Sequence, residues 1–213
     1  MRYARPLIAG PAAALAAILG ATVASAATTW TIRPGGAITA TGMKVVSTDT
    51  KTGSNWTCQS VTVTGKLKSG SGLSGSGAGS VSAVTFNSCT NPLGKTSPDP
   101  LRVIFEITAT DLPWHINVGS FSTGVATGTI SHMQMQLQGP GCTAVLGGTS
   151  ATATDGHVRF RYTDSTDRLK ILTAAGNLHF YNVTGCAGLW NDNDPLTISG
   201  TFPLSPRQTI TSP

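Results

Sequence analysis

Glutamate is almost missing from this chain: Glu106 is the only one in 213 residues. Charged residues of all kinds make up 11%, against roughly 25% in an average domain. The basic isoelectric point of about 9.3 therefore reflects scarce acids more than abundant cations. No run of Lys and Arg occurs, and aromatics are only 6% of the chain. Nucleic acid binding wants clustered cations with aromatic platforms, so that class is excluded. Paired C-x₂₋₄-C spacing is absent, which excludes a structural zinc site. The G-x-S-x-G elbow and the H-E-x-x-H zinc helix are absent too. Helix formers never accumulate at 3.6-residue spacing, so little of the fold is expected to be helical.

What is there begins with an export signal. Arg2 and Arg5 form a basic start, an uncharged Ala/Leu/Ile-rich run follows from Leu7 to Val23, and Ala24-Ser25-Ala26 offers a small-residue cleavage site. Residues 1–26 read as a cleavable secretory signal and 27–213 as one extracellular domain. Pro11 interrupts the run, which is shorter than the roughly 20 apolar residues a bilayer core requires. No second run of spanning length follows, so no membrane span is expected after cleavage. The formal charge of +5 includes Arg2 and Arg5, so the mature part carries about +3.

All four cysteines, Cys58, Cys89, Cys142 and Cys186, lie in the mature part. An even count behind a secretory signal reads as disulfides. Three connectivities exist. Cys58–Cys89 with Cys142–Cys186 is preferred, because each bond then closes its own half of the chain.

Alternation of period two recurs along the chain. Val158, Phe160 and Tyr162 alternate with His157, Arg159 and Arg161. Val103, Phe105 and Ile107 share one parity, as do Trp114, Ile116 and Val118, while Met133, Met135 and Leu137 alternate with glutamines. Ile130 falls on the opposite parity to Met133, which predicts a bulge or bend near Ser131. Asp155-Gly156 predicts a two-residue hairpin between 149–154 and 157–162. The Ser/Gly stretch from Ser69 to Ser82 is either a flexible loop or a Gly-rich strand pair packed closely on another surface. Thr90 to Pro100, with three prolines, reads as a boundary and not as a central strand. The fold class is all-β: an antiparallel β-sandwich, with a closed or partly open β-barrel as the alternative, stapled by disulfides.

Candidate chemistry is sparse. His115, His132, His157 and His179 each sit in a predicted strand, where a rim position opposite the core is the ordinary role. Glycoside hydrolysis usually needs two carboxylates, and the aspartates fall mostly in turns, where they bond their own backbone. No catalytic and no metal-ligating residue is therefore assigned. The densest polar cluster is Trp190-Asn191-Asp192-Asn193-Asp194. An indole beside amides and carboxylates can stack on a sugar and bond its hydroxyls, so Trp190, Asn191, Asp192 and Asp194 are the candidate ligand-binding residues. Oxygen ligands on Asp192 and Asp194 also permit Ca²⁺, although the central Gly and distal Glu of an EF-hand are missing; an Asx-rich turn is the simpler account, and no cofactor is assigned.

Four segments carry a resemblance: Ala27-Thr28-Thr29-Trp30-Thr31-Ile32-Arg33-Pro34-Gly35-Gly36, Leu67 to Gly75, Asn182 to Leu189, and Ser205 to Pro213. In these the chain resembles a family of small secreted β-rich proteins of actinobacteria with no assigned activity. The resemblance implies export from a Gram-positive cell and agrees with the disulfides; it brings no site residues. The functional expectation is a non-catalytic secreted domain that binds an extracellular surface or polymer such as a cell-wall or environmental glycan. The alternatives are a secreted hydrolase built on His and Asp, and a protein-binding, inhibitor-like module. The oligomeric state is not legible in the sequence.

Overall fold

The computed structural model describes residues 29–93, 101–173 and 176–213. The expected signal at 1–26 lies outside the described residues. Fifteen strands and no helix occur among them. In the first half these are β1 (Thr29–Arg33), β2 (Gly36–Asp49), β3 (Asn55–Leu67), β4 (Gly70–Ser74), β5 (Gly79–Leu93), β6 (Leu101–Thr110), β7 (Trp114–Ser122) and β8 (Val125–Ser131). The second half supplies β9 (Gln134–Gly139), β10 (Cys142–Gly147), β11 (His157–Thr163), β12 (Arg168–Leu172), β13 (His179–Thr184), β14 (Leu196–Ser205) and β15 (Thr209–Thr211).

Of the two architectures open to an all-β, disulfide-stapled chain, strand pairing makes the barrel. β5, β3, β2, β14, β12, β11, β8 and β7 are hydrogen-bonded in that order, and Gly79–Val81 of β5 pairs with Trp114–Ile116 of β7 to close the ring. Every pair is antiparallel, and alternate residues face inward. Val158, Phe160 and Tyr162 of β11 are buried, while Arg159 and Arg161 between them are exposed. The interior is filled by such aliphatic and aromatic side chains, as expected of a ring of about eight strands.

β5 is longer than the ring needs. From Thr85 onward its free edge pairs with β6 instead of β7, which starts an extension β6–β9–β10–β13. The extension curls back, because His179 at the start of β13 bridges Pro195 just before β14. Phe180 N–H donates to Asp194 O at 3.0 Å and Leu196 N–H to Leu178 O at 2.8 Å. A second, less regular ring thus shares β14, β2, β3 and β5 with the barrel. Its core is aromatic: Trp56, Phe105, Phe180 and Trp190 meet with ring centroids 4.8–6.0 Å apart.

A three-stranded sheet, β15–β1–β4, caps the barrel. It turns Ile32 and Ile210 into the barrel interior and leaves them almost without exposure. The Ser/Gly stretch is therefore strand and close packing, the second of its two readings. A Cβ on Gly75 would stand 2.3 Å from Val118 O and 2.7 Å from Trp30 Nε1.

Two local expectations change, and the bend expected near Ser131 is present. Asp155-Gly156 makes no two-residue hairpin. Residues 149–154 are not strand, and neither Asp155 nor Gly156 has the positive φ such a turn needs. Asp155 Oδ1 instead accepts from Thr149 N–H at 2.9 Å, and Gly156 lies so near Met133 O that a Cβ would come within 2.1 Å. The parity break near Ser131 is a corner between β8 and β9, with His132 at φ 63°. Finally, Thr90–Leu93 continue β5. Thr90 has partners on both sides, Thr57 and Ile104, whereas Pro92 lies beyond the last residue paired with β3. A proline is tolerated there because only one neighbour remains. Residues 94–100 lie outside the described residues.

Both disulfides form with the preferred pairing, Cys58–Cys89 across β3 and β5 and Cys142–Cys186 between β10 and the turn after β13. They enclose sequence separations of 31 and 44 residues. Replacing either pair by serine should lower unfolding free energy by roughly 2–5 kcal/mol, measured by denaturant melts of the oxidised protein. Unchanged midpoints would show that the strand ladders alone hold these segments.

Candidate functional site

An open concavity lies where the cap meets the barrel rim. It is an open groove of about 800 Å³ lined by Arg33, Ser69, Asp164, Asp167, Arg207 and Thr209, with Pro34, Gly70 and Gln208. Each comes from a chain end or turn. Arg33 ends β1, Ser69 and Gly70 lead into β4, Asp164 and Asp167 form the β11–β12 turn, and Arg207–Thr209 lead into β15. Mouths of β-barrels are common ligand sites.

The groove floor is tied by a buried polar network. The Tyr162 hydroxyl donates to Gln208 O at 2.8 Å, stands 3.3 Å from Asp167 Oδ1, and accepts from Gln208 N–H at 3.3 Å. Gln208 Oε1 accepts from Gly35 N–H at 2.9 Å, and its amide donates to Pro206 O at 3.0 Å. The Arg207 guanidinium pairs with Asp167 and is otherwise exposed. Asp164 Oδ1 accepts from Ile210 N–H at 3.3 Å. Burial raises the Asp164 carboxyl above its ordinary range; the Ile210 N–H opposes this and the nearby Asp167 charge adds to it. Burial likewise raises the Tyr162 phenol far above its ordinary value, so it stays a neutral donor.

The residues expected to bind ligand lie elsewhere, and their roles differ from the expectation. Trp190 is 1% exposed. It stacks on Phe180 at 5.6 Å and meets Phe105 and Trp56 edge-on at 4.8 and 5.4 Å. Its faces are covered by protein, so it offers no platform to a sugar. The aromatic-beside-amides pattern misled because so few aromatics are available that the second ring's core takes this one. Asp194 is fully buried as well. Its Oδ2 accepts from the Asn191 backbone N–H at 3.0 Å and from its amide at 2.8 Å, and Lys51 Nζ forms an ion pair at 3.1 Å with Oδ1, without aligned hydrogen-bond geometry. Burial pushes this carboxyl up, but Asn191 and Lys51 together outweigh it and hold the carboxyl below its ordinary range. Asp192 Oδ1 accepts from Val183 N–H at 3.0 Å. Asn191 and Asp192 remain exposed. The loop is an Asx-rich turn in which each carboxylate caps a different backbone group. Among the described residues, no three His, Cys, Asp or Glu side chains converge as a metal site would require.

Among the described residues no histidine bonds both a serine and a carboxylate, although His132 Nδ1 stands 3.5 Å from Ser131 Oγ. His115 and His132 come together, ring centroids 4.2 Å apart, and His157 and His179 each lie by a backbone carbonyl. Glu106 is exposed on β6 opposite Gln138. On the outer wall Thr41, Thr62, Thr85 and Thr108 are direct neighbours across β2, β3, β5 and β6.

No protein-family profile, curated protein or solved structure matches this chain. The groove residues escaped sequence reading because they are far apart. The contact from Gly35 to Gln208 spans 173 positions. The local signal was Asp164-Ser165-Thr166-Asp167, which reads as a turn.

Two outcomes follow from these environments. Trp190→Ala should cost about 3–5 kcal/mol and Trp190→Phe clearly less, since Phe keeps most of the packing and removes an indole N–H that has no partner; paired denaturant melts separate the two. Asp164 binds its proton more tightly folded than unfolded. Its contribution is therefore most favourable at low pH and declines as pH rises through its folded titration. The stability difference between Asp164→Asn and the parent should accordingly grow in the variant's favour from acid to neutral pH, and a pH-independent difference would contradict the assignment.

Proposed function

We propose that this chain is a secreted, non-catalytic domain that binds an extracellular polymer, a cell-wall or environmental glycan, in the groove between the cap and the barrel rim. One observation carries the reading. Two guanidinium groups, two carboxylates and two hydroxyls converge on this open groove, and Tyr162 fixes the Gln208 backbone in its floor. A sugar presents donors and acceptors together, so it needs both from the site. Exposed Arg33 and Arg207 add forks suited to an acidic sugar's carboxylate. The threonine wall supports a hydroxyl-rich partner, and two disulfides fit an oxidising location outside the cell. The resemblance to secreted actinobacterial proteins points the same way.

A hydrolase is the second reading, favoured by Asp164. A carboxyl with a raised titration beside a second carboxylate, Asp167, resembles an acid paired with a base. Both readings place the ligand in one groove and differ in what happens to it.

The signal-free, oxidised protein should co-sediment with washed bacterial cell walls or an insoluble acidic polysaccharide and be displaced by soluble sugar. The double variant Arg33→Ala/Arg207→Ala should bind at least about tenfold more weakly, the loss expected from removing charge-assisted hydrogen bonds. Release of soluble fragments that stops in Asp164→Asn would establish the hydrolase instead. Complete recovery of the parent in the supernatant would reject both.

A further inference from the structure

The barrel interior is not completely filled. A cavity of about 80 Å³ lies beneath the cap, lined by apolar side chains from the ring and by Ile32 and Ile210 of the cap. Tyr162 supplies its ring to the lining, but its hydroxyl is engaged by Gln208 and Asp167 on the groove side. No polar atom is therefore presented to the interior. A water needs two to four polar partners, and cavities lined only by aliphatic and aromatic groups stay dry and accept apolar guests. The unfilled space also leaves lining atoms without dispersion partners, which a guest would restore.

We infer that this chamber is a second binding site, for a small apolar molecule of xenon to short-alkane size, reached by displacement of the β15–β1–β4 cap. The cap's polar ties to the barrel lie at its edges: Tyr162 and Asp164 bond the approach to β15, and after β4 Val118 N–H donates to Gly75 O at 2.9 Å and Gly77 N–H to Asn117 Oδ1 at 2.8 Å. The chamber and the groove are thus the two sides of one cap. Nothing in this inference depends on what the groove binds. The size of the guest is set by volume: a chamber of roughly 150 Å³ holds benzene, and this one is about half of that.

Methyl-resolved NMR of the intact, oxidised mature protein under xenon pressure tests it. The Ile32, Val63, Ile116 and Ile171 methyls should shift in a saturable manner, while methyls outside the barrel stay fixed. Ala40→Ile, which fills the chamber from β2, should weaken xenon binding at least about tenfold; if that variant does not fold, Val63→Ile serves the same purpose. Ile171→Ala enlarges the chamber and should admit benzene, which the parent excludes. Absence of saturable shifts in the lining methyls, or shifts unaffected by the filling variant, would overturn the proposal.

Discussion

Strand β5 has two edges and three neighbours. One edge is matched by β3 over nearly its whole length. The other meets β7 at its start and β6 from Thr85 onward. Each backbone N–H and C=O in the buried middle of the fold needs a partner, so the division of this edge decides the architecture. The β7 share closes the barrel, and the β6 share launches the second ring. Cys58–Cys89 crosses β3 and β5 within the second region, where β6 is the other neighbour.

The two rings solve the burial problem differently. The barrel is filled by Val, Ile and Leu with Phe160, Tyr162 and Phe202, and leaves a small void. The second ring is packed around Trp190 by Trp56, Phe105 and Phe180. With aromatics so scarce, concentrating them in one core leaves few for a recognition surface. The rim groove is lined instead by Arg, Asp and hydroxyl groups. Tyr162 joins both regions, since its ring belongs to the barrel and its hydroxyl to the groove floor.

Much of the fold was legible locally. Period-two alternation in 103–107, 114–118 and 157–162 marks strands and their buried faces correctly, because a strand's two faces are decided by its own residues. Of the three possible disulfide pairings, the one preferred on cysteine positions is the one that forms. Asp155-Gly156 and the Trp190 loop were misread for a common reason. Each motif has an ordinary local meaning that a distant contact overrides, Met133 against Gly156 in one case and Phe105, Trp56 and Phe180 around the indole in the other.

Alternation, turn composition and cysteine count are properties of neighbouring residues, and they sufficed for an all-β, antiparallel, disulfide-linked chain in which Cys58–Cys89 with Cys142–Cys186 was the preferred of three pairings. Long-range strand pairing makes β5 a shared strand, closes the barrel, and brings Arg33, Asp164, Asp167 and Arg207 to one groove. Those outcomes depend on which edges pair and on contacts such as Gly35 with Gln208, 173 residues apart. No local pattern encodes such a contact, because its energy exists only after the intervening strands have assembled.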